Sequence, residues 1–164
     1  MTSNLFRNIY VYIRDSLANI DTFRKIKQRK LTPYLKPYSL VGRCNSRFML
    51  KKLNQIEPDF IVLINGGILN KDIIKTAKKG VINAHPGLLP DIRGLDAVIH
   101  SVLRGVPVGL TLHLINEGID TGDILEKYII PIKSNDNLED ILLKSDQLCN
   151  FVLTKFIEGL NKGI

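Results

Sequence analysis

The chain of 164 residues predicts an α/β sandwich with a largely parallel sheet, in one domain spanning residues 1–164. Three observations predict it. Short runs of β-branched, aromatic or aliphatic residues at 9–13, 59–64, 81–84, 108–115 and 124–132 read as strands. Segments with helical apolar spacing alternate with them, the order of an α/β protein. The run Phe60-Ile61-Val62-Leu63-Ile64 is continuously apolar, the pattern of a strand covered on both faces. The length allows a real core. A composition of 45% apolar and 24% charged residues is ordinary for a globular domain.

In chain order, Ile9-Tyr10-Val11-Tyr12-Ile13 is the first strand. Asp15 or Ser16 can cap a following helix, whose stripe Leu17, Ile20, Phe23 and Ile26 precedes the basic run Arg24–Lys30. Thr32 to Pro37 is extended, because proline disfavours helix at the residue before it. Asn45 or Ser46 caps a helix carrying Met49, Leu53 and Ile56 inward, ended by Pro58. Asp59–Ile64 is the clearest buried strand, and Asn65-Gly66-Gly67 ends it in a tight turn. Asn70 caps a short helix with Ile73, Ile74 and Ala77 inward, closed by Gly80. After the strand Val81–Ala84, Leu95–Arg104 reads as a helix closed by Gly105. Val108–Ile115 alternates, with Leu110, Leu112 and Leu114 on one face and Thr111, His113 and Ile115 on the other. Ile124–Ile132 is the next strand, ended by Pro131. Asp136 with Glu139 is a capping-box pattern. It opens a helix with Leu138, Ile141, Leu142, Leu148, Cys149, Val152 and Phe156 on one side.

Several classes are set aside by composition. No apolar run approaches the ~20 residues of a membrane span. The start, Met1-Thr2-Ser3-Asn4, lacks the basic region and apolar core of a secretory signal. Cys44 and Cys149 are the only cysteines, with neither metal-ligand spacing nor a disulfide framework, so no metal is expected. Cytoplasm is the expected compartment. The net charge of +7 is uneven: residues 1–58 hold 12 Lys/Arg against 3 Asp/Glu, and residues 59–164 hold 11 against 13. A basic N-terminal third could attract a phosphate ester or RNA. The plainer reading is Lys-rich, solvated helix faces. Nothing resembles an RNA-binding motif, so nucleic acid is not the expected partner.

The chemistry-bearing residues gather between Val81 and Asp123. Asn83 and His85 stand two residues apart, on the same side of an extended segment. Pro86 and Pro90 stop the strand, leaving both groups at a strand end, where open α/β sheets keep their sites. Asp120 follows in a turn between Gly118 and Gly122. Each has a plainer reading when taken singly: a turn-bonding Asn, a satisfied structural His, an Asx-turn Asp. His100 reads as a structural or surface residue.

Taken together, Asn83-x-His85, Gly87-Leu88-Leu89-Pro90, Arg93-Gly94, Gly109-x-Thr111-x-His113 and Asp120-Thr121-Gly122, in this order and spacing, resemble the formyltransferases that use 10-formyltetrahydrofolate. These include the glycinamide ribonucleotide, methionyl-tRNA and nucleotide-sugar N-formyltransferases. The resemblance covers residues 58–132 closely. It implies a Rossmann-like three-layer α/β/α fold and transfer of a formyl group to a primary amine. Members usually open with a strand and a Gly-rich turn, yet here no Gly precedes Gly42. Either the first βα unit is missing, or Ile9–Ile13 is that strand with a shortened connection. A missing strand would leave a gap for a second chain to cover, which predicts a homodimer built on the apolar stripe of 138–156 and Ile9–Ile13.

Formyl transfer to an amine develops an oxyanion and releases a proton. The resemblance implies Asn83 as donor to that oxygen, His85 as a second donor or proton shuttle, and Asp120 as the group that orients His85 or takes the amine's proton. His113 is expected to support the site. The segments Ile64, Asn65, Gly66, Gly67, Ile68, Leu69 and Asn116, Glu117, Gly118 match those that line the folate pocket, largely through backbone groups and apolar side chains. Pro86, Gly87, Leu88, Leu89, Arg93 and Gly94 match the loop facing the acceptor. The expected acceptor is a small, phosphorylated amine: first a nucleotide-linked amino sugar, then glycinamide ribonucleotide. Methionyl-tRNA is not expected, because the chain ends without the extra C-terminal domain of those enzymes. Two alternatives stay open: a folate- or partner-binding relic without activity, and an RNA-associated basic protein.

Overall fold

The computed structural model describes residues 9–13 and 161–162 as backbone, and residues 44–64 and 67–160 with their side chains. The expected helix over Leu17–Ile26, the extended 32–37 segment and the turn residues Asn65 and Gly66 lie outside the described residues, as does the chain that bears on a missing first βα unit.

Among the described residues, five strands form one sheet in the order β1 (Ile9–Ile13), β2 (Phe60–Ile64), β3 (Gly80–His85), β4 (Gly109–Leu114) and β5 (Ile124–Ile129). β1, β2 and β3 are parallel, with Ile13 beside Ile64 and Leu63 beside Asn83. β4 runs antiparallel to β3, and β5 antiparallel to β4. The sheet is therefore parallel in its first three strands and closes with an antiparallel pair. The helix between β3 and β4, α3 (Ala97–Leu103), has seven residues. That is about 10 Å of rise, against about 20 Å for a six-residue strand. The chain accordingly re-enters the sheet at the end it left, placing Thr111 opposite His85.

Alternation along β2 and β3 divides the core into two layers. Val62, Ile64, Ile82 and Ala84 join Leu110 and Leu112 of β4 against Val152, Leu153 and Ile157 of the long helix α4 (Leu138–Lys162). Phe60 meets Phe156 edge to face at 5.9 Å. On the other face Ile61, Leu63 and Val81 pack against Met49 and Leu53 of α1 (Arg47–Ile56), Ile73 of α2 (Lys71–Ile74) and Leu69. A smaller cluster of Val98, Val108, Ile130 and Ile141 ties α3 to the start of α4. The second face is thus apolar toward α1 and α2 and turns polar at Asn83, His85, Thr111 and His113.

Local chemistry explains the element ends. Ser46 is the N-cap of α1, accepting from the Met49 N–H, and Asn70 caps α2 through the Ile73 N–H. Asn45, the other candidate cap, instead brackets a loop: its amide donates to Ile68 O at 2.8 Å and accepts from the Asn70 N–H at 2.7 Å. α3 starts two residues later than expected because Asp96 adopts φ 53°, a left-handed conformation that a helix cannot contain. The capping box of α4 also falls one residue later than expected. Asn137 and Asp140 exchange side-chain-to-backbone bonds at 3.0 Å each, while Asp136 accepts from the Lys133 N–H and pairs with Lys144. Ile141, Leu148, Cys149, Val152 and Phe156 face inward as expected. Leu138 and Leu142 do not: both are exposed. Position 142 is rotated by about 100° from Ile141 on the helix. Most of the stripe from which a dimer was expected is therefore covered by the chain's own sheet.

Candidate active site

β3 carries Asn83 and His85 to its C-terminal end on the face away from α4, and β4 sets His113 and Thr111 directly beside them. The chain then leaves β3 through Pro86 and folds back over this face. Thr111, fully buried, secures the return: its hydroxyl donates to Gly87 O at 2.7 Å and accepts from the Leu89 N–H at 3.1 Å. Gly87 is required by proximity. A Cβ there would stand 2.8 Å from both His85 Nε2 and Ile92 O, too close to either end of the bond joining those two atoms.

His85 is almost wholly buried. Its Nε2–H donates to Ile92 O at 2.9 Å, and its Nδ1 faces Asp120 Oδ2 at 3.4 Å. The same Oδ2 accepts the Gly94 N–H at 2.8 Å. Ile92 and Gly94 thus fix the two members of the pair from consecutive turns of one loop, with the exposed Arg93 between them. Asp120 sits at φ 49° in a turn braced by Asn116, whose Oδ1 accepts from the Gly118 N–H at 2.9 Å and the Thr121 hydroxyl at 2.6 Å. Its side chain stays 17% exposed, so the pair communicates with the outside through the carboxylate.

Asn83 reaches the same centre through His113. Asn83 Nδ2 lies 3.2 Å from His113 Nε2, which is 3.6 Å from Asp120 Oδ1. His113 Nδ1–H donates to Leu114 O at 2.7 Å. The two imidazoles meet edge to face, 6.2 Å apart. Burial holds the His113 pKa below its ordinary value and outweighs the opposing pull of Leu114 O and Asp120, with His85 pushing the same way as burial. Among the described residues no group of three side chains is placed to hold a metal ion.

The other expected site residues fall into two groups. The Ile64 and Leu69 side chains are in the core on opposite faces of the sheet, so they can offer a ligand only backbone. Asn65 and Gly66 lie outside the described residues. Gly67 is half-buried, while Ile68 is 67% exposed. Asn116, Glu117 and Gly118 are exposed in the turn that carries Asp120. Leu69 and Ile115 share one apolar cluster, which holds the 67–70 and 116–118 segments next to each other beside the polar centre. In the acceptor loop, Gly87 and Leu89 are buried, and Pro86, Leu88 and Gly94 half-buried. The buried Leu89 side chain shapes the loop, and Arg93 is the loop's exposed cation. His100 is exposed on α3. Asn45 and Thr111 are the positioning residues that the sequence reading missed. The alternation of β4 and the Gly109-x-Thr111-x-His113 motif both marked Thr111 without giving its role, and nothing marked Asn45 as a clamp.

Residues 18–154 match the family described as formyl transferase. A methionyl-tRNA formyltransferase from Thermodesulfovibrio yellowstonii is 37% identical over 117 residues, covering 70% of this chain and 38% of that protein. The chain spans less than half the length of the curated relatives it matches first. Among solved structures, the formyltransferase PseJ from Anoxybacillus kamchatkensis, in complex with a UDP-linked formamido sugar and tetrahydrofolate, superposes with a TM-score of 0.69 at 22% identity, covering 95% of this chain and 78% of its own. A phosphoribosylglycinamide formyltransferase from Bacillus halodurans gives 0.66 at 21% identity, covering 96% and 82%. The likeness to the solved structures is one of fold. The match over residues 18–154 shows that this chain belongs to the formyl transferase family.

Proposed function

We propose that the chain is a folate-dependent N-formyltransferase catalytic domain acting on a primary amine of a small, phosphorylated acceptor. The observation that carries this is the meeting of an amide donor with a buried His85–Asp120 pair at 3.4 Å, on a partly open sheet face. 10-Formyltetrahydrofolate supplies the formyl group. The residues present fit its ring system: Ile68 and Ile119 are 67% and 55% exposed beside the exposed 116–118 turn, the mixture of apolar contact and fixed polar groups that ligand sites use.

The roles follow from which atoms are free. One N–H of Asn83 is taken by His113, and the other is left to meet the negative charge that grows on the formyl oxygen as the amine attacks. His85 cannot point Nε2 at the substrate, because Ile92 O holds it. It acts through Nδ1 upon Asp120. Asp120 is the exposed member and accepts the proton that the amine loses as the new C–N bond forms, directly or through one water. The His85–Asp120 pair then returns a proton to the departing folate nitrogen. Arg93, held between two anchored residues, offers a guanidinium for a phosphate of the acceptor.

A nucleotide-linked amino sugar is the first acceptor and glycinamide ribonucleotide the second. The sugar is supported by the fold shared with a relative solved on such a nucleotide. Methionyl-tRNA stands as a third, because the curated relatives carry that name. The test is incubation with 10-formyltetrahydrofolate and each amine in turn, with the product read by mass spectrometry. A formylated nucleotide sugar is expected. Formylation of glycinamide ribonucleotide or methionyl-tRNA alone would move the acceptor. Folate binding without any formylated product would make the chain a binding relic.

A further inference from the structure

Both oxygens of Asp120 face an imidazole nitrogen, and the two histidines hold opposite tautomers. His85 commits its Nε2–H to Ile92 O at 2.9 Å and turns Nδ1 toward Oδ2. His113 commits its Nδ1–H to Leu114 O at 2.7 Å and turns Nε2 toward Oδ1. A bare nitrogen facing a carboxylate oxygen brings lone pair against lone pair, so a proton at either place would be welcome. The two places are not equivalent. Asn83 Nδ2 lies 3.2 Å from His113 Nε2 and can donate to it only while that nitrogen is bare. Asp120 Oδ2 is nearer His85, at 3.4 Å against 3.6 Å for the other pair.

Resting on the formyl-transfer reading, we propose that His113 is a positioning residue that holds one N–H of the Asn83 amide, keeps the other toward the reacting centre and thereby reserves the Asp120 proton for His85. A protonated His113 would present a second N–H to Asn83. The amide would then rotate to offer its oxygen, and the donor aimed at the formyl oxygen would be lost. The titratable groups facing His113 are Asp120, from the 116–122 turn, and His85, from β3. Burial of the ring acts against its protonation. His113 touches neither reactant in this arrangement and acts through Asn83 and Asp120.

The first test needs no acceptor. Nitrogen-15 spectra of the histidine-labelled wild-type chain report which ring nitrogen carries hydrogen. At neutral pH, His113 is expected with Nδ1 protonated and Nε2 bare, and His85 with Nε2 protonated. A His113 protonated at Nε2, or doubly protonated at neutral pH, overturns the proposal. The second test uses a UDP-linked 4-amino sugar as acceptor. His113→Gln keeps an acceptor for Asn83 and should retain turnover within about 10-fold. His113→Leu removes it and should lower kcat by about 10²-fold with KM nearly unchanged. Gln should also extend activity to lower pH, since the competing titration is gone. Equal kcat loss in both variants, or an unshifted acid limb, overturns the role. Should His113→Leu fail to fold, the wild-type spectra and the Gln profile still decide. A wild type inert toward every amine, with the tautomers as assigned, would instead mark failure of the formyl-transfer reading and take the catalytic role of His113 with it.

Discussion

His85 has little freedom, with one nitrogen on a backbone carbonyl and the other at Asp120. Its removal therefore takes away proton handling and leaves the folate-facing segments intact. His85→Ala should lower turnover by about 10²-fold or more, while folate binding measured by calorimetry survives. Unchanged turnover would remove His85 from the chemistry. The placement of these residues was legible to differing degrees. Asn83 and His85 were readable together because a two-residue spacing in a strand admits one geometry. Asp120 was readable as a neighbour only through Gly118 and Gly122, which mark the turn that returns it. The use of His113 Nε2 by Asn83 was not readable, since tautomer and amide orientation are set by Leu114 O across one peptide, and sequence spacing carries no such information.

The loop from Pro86 to Gly94 links the sheet to the chemistry through a few bonds that substitution can break singly. Gly87→Ala places a Cβ 2.8 Å from both ends of the His85–Ile92 bond. Neither end is the tip of a flexible chain, so His85 must move. Turnover should fall by about 10²-fold, with a chain that still melts cooperatively; wild-type kinetics would show that the bond does not position His85. Thr111→Val keeps the shape and leaves Gly87 O and the Leu89 N–H without their buried partner. A loss of about 1–3 kcal/mol is expected in denaturant unfolding, and no loss would mean that both groups find other partners. Element types were read correctly along the described chain, and the boundaries that shifted did so for local reasons. Asp96 at positive φ delayed α3, and Asn137 took the capping position expected of Asp136.

At the scale of the molecule, the sheet separates an apolar layer under α4 from a layer in which the polar centre replaces part of the apolar packing. That replacement makes stability depend on pH. The folded state resists protonation of His113 because it is buried, whereas the unfolded chain takes up a proton near the ordinary value of 6.5. Stability from this group is complete above that value and is lost as pH falls from it toward the lowered folded pKa. The drop in melting temperature between about pH 8 and about pH 5.5 should be smaller in His113→Gln than in the wild type, and equal drops would mean that His113 titrates as it does in the unfolded chain. The α/β plan with helices on both faces was legible because Phe60–Ile64 is apolar without a break, which asks for cover on both sides of the strand. The antiparallel close of the sheet was not, since strand direction depends on where α3 returns the chain. No helix among the described residues is long and apolar enough to cross a membrane. The central claim is that this arrangement moves a formyl group from folate to an amine. Its most direct test follows tetrahydrofolate release and formylated amine together, in the wild type and in Asp120→Asn. One tetrahydrofolate for each formylated amine, with turnover lost in Asp120→Asn, is the predicted result. Folate binding without transfer, or full transfer by Asp120→Asn, would contradict it.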